Sequence, residues 1–174
     1  MTKECTAKCR EGWDEQDDHC YLWSSETQSW REAEEFCVKE AAHLASVLSK
    51  STNDYILEGI GKRDVEFLWV GGSYRGLEGG WKWIDCRFGD MSIIFLGLDL
   101  LSFFAQKAIK VSIFYFRDLW EFTNWDENQP SGTFEGHQQH CLSYNNYTGG
   151  AWNDATCGIP YKFLCSQKLC SGIP

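Results

Sequence analysis

Apolar positions change their period along this chain. Between Ser29 and Ala41, the residues Trp30, Ala33, Cys37 and Ala41 fall on one helical face. Ser29 and Glu32 supply the S-x-x-E capping box that starts a helix there. A second helix is predicted from Ser51, with Asp54 at its third position and Ile56 and Ile60 one turn apart. Gly61-Lys62 is its expected stop. From Glu66 onward the texture turns to short apolar or aromatic runs broken by glycine. Phe67–Val70, Gly80–Ile84, Cys141–Tyr144 and Tyr161–Cys165 read as strands. Between Phe122 and Gln139 lies a polar loop too long for a simple turn, and such loops in compact domains usually carry function. Helices first and strands afterwards give an α+β order rather than alternating βαβ units. No internal repeat is visible.

Charge and cysteine content narrow the class. The 174 residues suit one domain with a full core. Lys and Arg total 16 against 25 Asp and Glu, a formal net charge of −9 that repels nucleic acid and anionic membranes. Nine Trp, eleven Phe and seven Tyr mark a folded chain, not a disordered one. Nine cysteines stand at positions 5, 9, 20, 37, 86, 141, 157, 165 and 170. Their wide separations fit disulfides in an oxidising compartment better than zinc sites, which want closely paired spacings. Met1–Cys5 lacks the apolar run of a signal peptide, so an extracellular protein is expected here in a mature form. The triplet Asn146-Tyr147-Thr148 is an N-glycosylation sequon and fits that compartment.

One segment breaks the pattern. Residues 88–116 are far more apolar than their surroundings, although Asp99, Gln106, Lys107 and Lys110 interrupt them and exclude a membrane span. Two explanations compete: a true hydrophobic insertion, or a retained intron. Ile113–Arg117 is encodable by a thymine-rich tract ending in AG-G and Arg87-Phe88 by AG-GTT, and removal keeps frame, which favours the intron. If translated, its apolar surface is an association liability.

A set of ordered motifs resembles the C-type lectin-like family over nearly all of residues 9–166. They are Ser29–Cys37, Ala42–Val47, Leu68–Gly72 with its W-x-G core, Trp83-Ile84-Asp85, Phe122–Trp125 with Asn128–Ser131, and Trp152–Cys157 with its W-N-D-x-x-C. The resemblance implies two helices packed on short antiparallel sheets, a long ligand-binding loop and disulfide staples. Residues 1–8 are then an N-terminal extension and 167–174 a C-terminal tail. The implied pairs are Cys37–Cys165, Cys141–Cys157 and, for the long form with an N-terminal hairpin, Cys9–Cys20. Cys5 and Cys170 lie near the termini and are candidates to pair. Cys86 is then left over and becomes a candidate link between two copies of the chain.

The resemblance also implies a calcium-dependent sugar site. Calcium takes six to eight oxygen ligands from carboxylates, amides and backbone carbonyls. Family members supply them from an E-P-N or Q-P-D motif, an acid before the next cysteine, and the W-N-D pair. Carried onto this chain, the ligand set is Gln129, Ser131, Gln139, Asn153 and Asp154, with Glu135 as a further metal ligand. Ser131 puts a hydroxyl where the family has a carboxylate or amide, and Gln139 stands where an acid is usual. With one or two carboxylates, calcium affinity is expected in the millimolar range at best. Two readings stand: a weakened calcium–sugar site, or a W-N-D element kept for packing in a calcium-independent domain. Trp69, Trp81 and Trp83 read as strand core, Trp125 and Trp152 as packing beside the loop, and Asp126-Glu127 as a solvated face.

The expected function is a secreted lectin for glycans or glycoproteins, in an innate-immune or venom-like setting. Galactose is favoured because Gln129 matches Q-P-D. The alternatives are a calcium-independent protein-binding domain and an ice-binding protein like the type II antifreezes. No Ser-His-Asp or Cys-His arrangement and no phosphate loop has credible spacing, so an enzyme is not expected.

Overall fold

The computed structural model describes residues 8–74, 80–85, 120, 122–134 and 136–169. Cys5, Cys86, Cys170, Glu135 and the apolar segment 88–116 lie outside the described residues, so the expectations placed on them have no structural account.

Helix α1 spans Trp30–Lys39. Its cap is the one the sequence announces: the Ser29 hydroxyl accepts from the Glu32 N–H while the Glu32 carboxylate accepts from the Ser29 N–H. The helix stops before Ala41, which adopts the left-handed conformation (φ 56°). The Ala42 N–H then returns to the Cys37 carbonyl at 2.9 Å, closing the helix end. Helix α2 spans Lys50–Arg63 and corrects the sequence reading at both ends. Its N-cap is Ser49, whose hydroxyl accepts from the Thr52 N–H, not Ser51. Gly61-Lys62 lies inside it, because the reversal is made by Asp64 in the left-handed region (φ 49°). Glycine near a helix end is permitted there without being the stop.

Ten strands are present among the described residues. They are β1 (Asp14–Gln16), β2 (His19–Trp23), β3 (His43–Leu44), β4 (Phe67–Tyr74), β5 (Trp81–Trp83), β6 (Thr133–Phe134), β7 (His137–Gln138), β8 (Cys141–Asn145), β9 (Ala151–Ala155) and β10 (Lys162–Lys168). The main sheet runs β1-β2-β10-β4-β8-β9, with β3 also on β10 and β5 also on β4. Antiparallel pairing dominates, as expected, but β10 and β4 are parallel, so the sheet is mixed. The last strand is held between β2 and β4, and its antiparallel pairing with β2 leaves it running with β4.

Strand alternation distributes the core to both faces. Along β4, Leu68 and Val70 enter the cluster with Ile56 and Ile60 of α2, while Trp69 enters the cluster with Ala33 and Cys37 of α1. Along β10, Leu164 joins the first cluster, and Phe163 and Cys165 join the second. Both central strands are thus buried on both sides. Gly71 sits where the Leu44 carbonyl passes so close that a Cβ would stand 2.6 Å from it. That close approach explains a glycine inside a strand.

The three implied disulfides are present: Cys9–Cys20, Cys37–Cys165 and Cys141–Cys157. Cys37–Cys165 joins α1 to β10 across 128 residues of sequence. In the chain-entropy model such a closure stabilises by about 4–5 kcal/mol.

A buried hydrogen bond ties α2 to the sheet. The Tyr144 hydroxyl, fully buried, donates to Asn53 Oδ1 at 2.7 Å. Burial pushes the Tyr144 phenol well above its ordinary range and keeps it a donor. Tyr144→Phe should therefore lower unfolding free energy by about 1–3 kcal/mol by stranding the Asn53 oxygen. Urea unfolding of the two proteins measures it, and equal midpoints would contradict the assignment.

Candidate functional site

The site is built on β9. Along this strand Trp152 and Asp154 share one face, and both are fully buried. Against it runs the segment 124–126, docked like an additional short strand. The Trp152 N–H donates to the Asn124 carbonyl at 2.7 Å, and the Asp126 N–H donates to the Trp152 carbonyl at 2.9 Å. The chain then turns, with the Gln129 N–H on the Asp126 carbonyl at 3.0 Å and Asn128 in the left-handed region (φ 65°). The Gln129–Pro130 peptide bond is cis. After Gly132, β6 and β7 form a small hairpin, and the Gln139 N–H closes onto the Gly132 carbonyl at 3.0 Å. This hairpin inside the loop carries no periodic sequence signal and is absent from the sequence reading.

An aromatic cluster fixes the loop's base. The Trp152 ring makes edge contacts with Trp83 (5.7 Å between centroids), Phe122 (5.7 Å) and Trp125 (5.7 Å). Trp120 stacks on Trp83 at 4.4 Å. The expectation that Trp69 and Trp83 are core and that Trp125 and Trp152 pack beside the loop holds in the geometry. Trp81 is only half-buried, and it leads through Tyr74 (6.0 Å) to His140 (5.4 Å from Tyr74) beside Gln139. These rings form an aromatic wall next to the loop that sequence reasoning did not assign to the site. Tyr74 and Trp81 are cross-strand partners in the β4–β5 pair, a placement that no sequence pattern announces.

Gln129, Ser131, Gln139 and Asp154 converge. The Ser131 N–H lies between two acceptors, Gln129 Oε1 at 2.9 Å and Asp154 Oδ1 at 3.0 Å. The Ser131 hydroxyl donates to Gln139 Oε1 at 2.7 Å and lies 3.3 Å from Asp154 Oδ1. The Gly132 N–H donates to Asp154 Oδ2 at 2.6 Å. Asn153 is not part of this cluster of bonds. Strand alternation turns its Cβ to the other face, and its amide nitrogen donates to the Asp154 carbonyl at 2.7 Å. Gly132 contributes through its backbone alone, so no side-chain motif announces it.

This arrangement does not fit a tightly bound calcium ion. Calcium needs six to eight oxygen donors with free lone pairs. Here the oxygens of Gln129, Gln139 and Asp154 already accept from Ser131 and Gly132. Asp154 is the one carboxylate that joins these bonds among the described residues, and no group of three or more His, Cys, Asp or Glu side chains there could hold a metal. Backbone N–H groups of Ser131 and Gly132 tie the loop to Asp154, and the Ser131 hydroxyl adds a side-chain bond to Gln139; together they form a hydrogen-bonded lock.

Asp154→Ala should leave the Gly132 N–H without its acceptor and the Ser131 N–H with Gln129 alone, and release the loop. Bonds to a charged acceptor are worth about 1.5–3 kcal/mol each and are not additive, so a loss of roughly 2–4 kcal/mol is expected. Chemical denaturation reads the loss, and faster amide exchange across 129–139 localises it. Unchanged exchange in that loop would refute the lock.

Comparisons with known proteins agree with this architecture. The family model described as "Lectin C-type domain" matches residues 26–167. A lectin of Pleurodeles waltl is 28% identical over 169 residues, covering 95% of this chain and 79% of that protein. The galactose-specific lectin nattectin of Thalassophryne nattereri is 24% identical, covering 97% of this chain and 86% of its own. The chain spans 45% of a longer relative, mouse asialoglycoprotein receptor 1, at 27% identity and 92% of this chain. Among solved structures, the carbohydrate-recognition domain of the human scavenger receptor C-type lectin superposes with a TM-score of 0.65 at 23% identity, covering 92% of this chain and 99% of that one. The helices and mixed sheet are those of that fold. The chain belongs to the C-type lectin domain family.

Proposed function

We propose that the domain recognises glycans outside the cell through the loop face at residues 129–139, with that loop held by Asp154 and not by a calcium ion. One observation carries the reading: both Asp154 carboxylate oxygens are engaged by the loop's own donors, Ser131 and Gly132. In the family's usual scheme a cation orders this loop and meets the sugar hydroxyls. Here hydrogen bonds supply the order, and the sugar meets side chains directly. Gln129 and Gln139 offer amides for hydroxyls, while Tyr74, Trp81 and His140 offer ring faces for the sugar's C–H surface. Residual calcium affinity belongs in the millimolar range, because a single carboxylate brings one negative charge. Galactose-type sugars are the first ligands to test, since Gln129 keeps the first position of Q-P-D and nattectin is by name galactose-specific.

Secretion accompanies this reading. Three disulfides need an oxidising compartment. No helix among the described residues is long and apolar enough to cross a membrane. A dimer joined through Cys86, which lies outside the described residues, would present two such loops and run at doubled mass on a non-reducing gel.

Glycan-array binding in calcium and in EDTA tests the proposal. The expected result is galactose-type binding of equal strength in both buffers. Loss of signal in EDTA would show a working calcium site, and no glycan signal in either buffer would favour a protein ligand. The double change Ser131→Asp with Gln139→Glu removes the Ser131 hydroxyl's bond to Gln139 and brings the carboxylate count to three. It should tighten calcium binding roughly 10-fold or more, measured by calorimetry.

A further inference from the structure

The sequon Asn146-Tyr147-Thr148 has no part in the ligand loop, yet the fold presents it in a specific way. We propose that Asn146 carries an N-linked glycan whose first N-acetylglucosamine rests on the aromatic surface of Phe67, Tyr147 and Tyr161. This rests on the extracellular placement proposed above. It is the one N-x-S/T triplet in the sequence.

The triplet forms the short 3₁₀ turn, Asn146–Thr148, that joins β8 to β9. All three of its residues are exposed. Its backbone is held in place: the Asn146 N–H donates to the Glu66 carbonyl at 2.9 Å, and the Gly149 N–H donates to the Asn146 carbonyl at 3.2 Å. The side-chain bonds of the turn are made by its neighbours. Asn145 Oδ1 accepts from the Tyr147 N–H at 3.1 Å, and the Thr148 hydroxyl donates to the Asn145 carbonyl at 3.1 Å. The turn therefore keeps its shape without the Asn146 amide, which is left for modification.

Beside the turn lies an apolar surface that the fold does not cover. Tyr147 is 71% exposed. The Phe67 ring stands 5.6 Å from Tyr147 and stacks on Tyr161 at 4.7 Å. Exposed aromatic patches on a domain of this kind call for an occupant, and a sugar tethered one residue away supplies it. The position also spares the ligand loop. On the β8–β9 hairpin, Asn145 pairs with Ala151 at the turn, while Cys141 pairs with Ala155 at the far end beside Asp154. Four residues of strand separate the two ends by about 13 Å.

Chemically, the Asn146 Nδ2 displaces a polyprenyl pyrophosphate from the anomeric carbon of a lipid-linked oligosaccharide. The C–O bond to pyrophosphate breaks, the C–N bond forms, and the amide proton leaves with the pyrophosphate. The secretory pathway's glycosyltransferase supplies donor and catalysis.

The test is secretion of the full chain, behind a signal peptide, from insect or vertebrate cells, followed by intact-mass analysis with and without peptide N-glycosidase. A mass excess that the enzyme removes, leaving aspartate at 146, is expected. Asn146→Gln and Thr148→Ala should both lose the excess, and Thr148→Ser should keep it. A secreted wild-type chain with no excess mass would overturn the proposal while leaving the recognition reading to the glycan array. On the glycosylated protein, NMR contacts between the first N-acetyl methyl and the Tyr147 ring are expected, and their absence would overturn the docking on the aromatic surface.

Discussion

A buried carboxylate must be met by donors, and in this domain that demand is answered by a loop. Asp154 is fully buried on β9, out of reach of the water that would otherwise solvate its charge. Its two oxygens draw in the N–H groups of Ser131 and Gly132 and lie beside the Ser131 hydroxyl. Leaving that charge unpaired would cost several kcal/mol, so the loop is bound wherever the strand is formed. The cis Gln129–Pro130 bond and the left-handed Asn128 bring the Ser131 amide to the carboxylate.

The rest of the fold positions that one residue. The Trp152 ring shares a face with Asp154 and is walled by Trp83, Phe122 and Trp125, which anchors the strand and the base of the loop together. Cys141–Cys157 ties the start of β8 to the chain just beyond β9, next to Gln139. Farther away, β4 and β10 bury residues toward both helices, and Cys37–Cys165 staples α1 to the last strand. The proposed ligand face is therefore a loop on a rigid scaffold, the usual arrangement for recognition.

Much of this was legible in the residues. The Ser29–Glu32 box, the two-sided apolar run at Leu68–Val70 and the six paired cysteines each follow from local chemistry or from the family's motifs. The ends of α2 were not, because serines at 49 and 51 are both acceptable caps and only tertiary packing selects between them. At the site, the ligand set named Ser131 and Gln139 as degraded calcium ligands. The bonds they make, with the Ser131 N–H on Gln129 and its O–H on Gln139, depend on tertiary placement. Gly132 acts through its backbone, which no side-chain pattern reveals. Asn153 was grouped with Asp154 through the family's W-N-D motif, and along β9 the two side chains leave opposite faces. The aromatic wall of Tyr74, Trp81 and His140 arises from residues far apart in sequence and needed the pairing of β4 with β5 to appear.

The proposed calcium-independent loop rests on the Ser131 and Gly132 N–H bonds to Asp154. Backbone amide NMR of the folded domain, recorded in EDTA and then through a calcium titration into the millimolar range, tests it most directly. The Ser131 and Gly132 amides should be shifted downfield and protected from exchange in EDTA, and stay so as calcium is added. Exposed, fast-exchanging amides in EDTA that become ordered only with saturating calcium would contradict it.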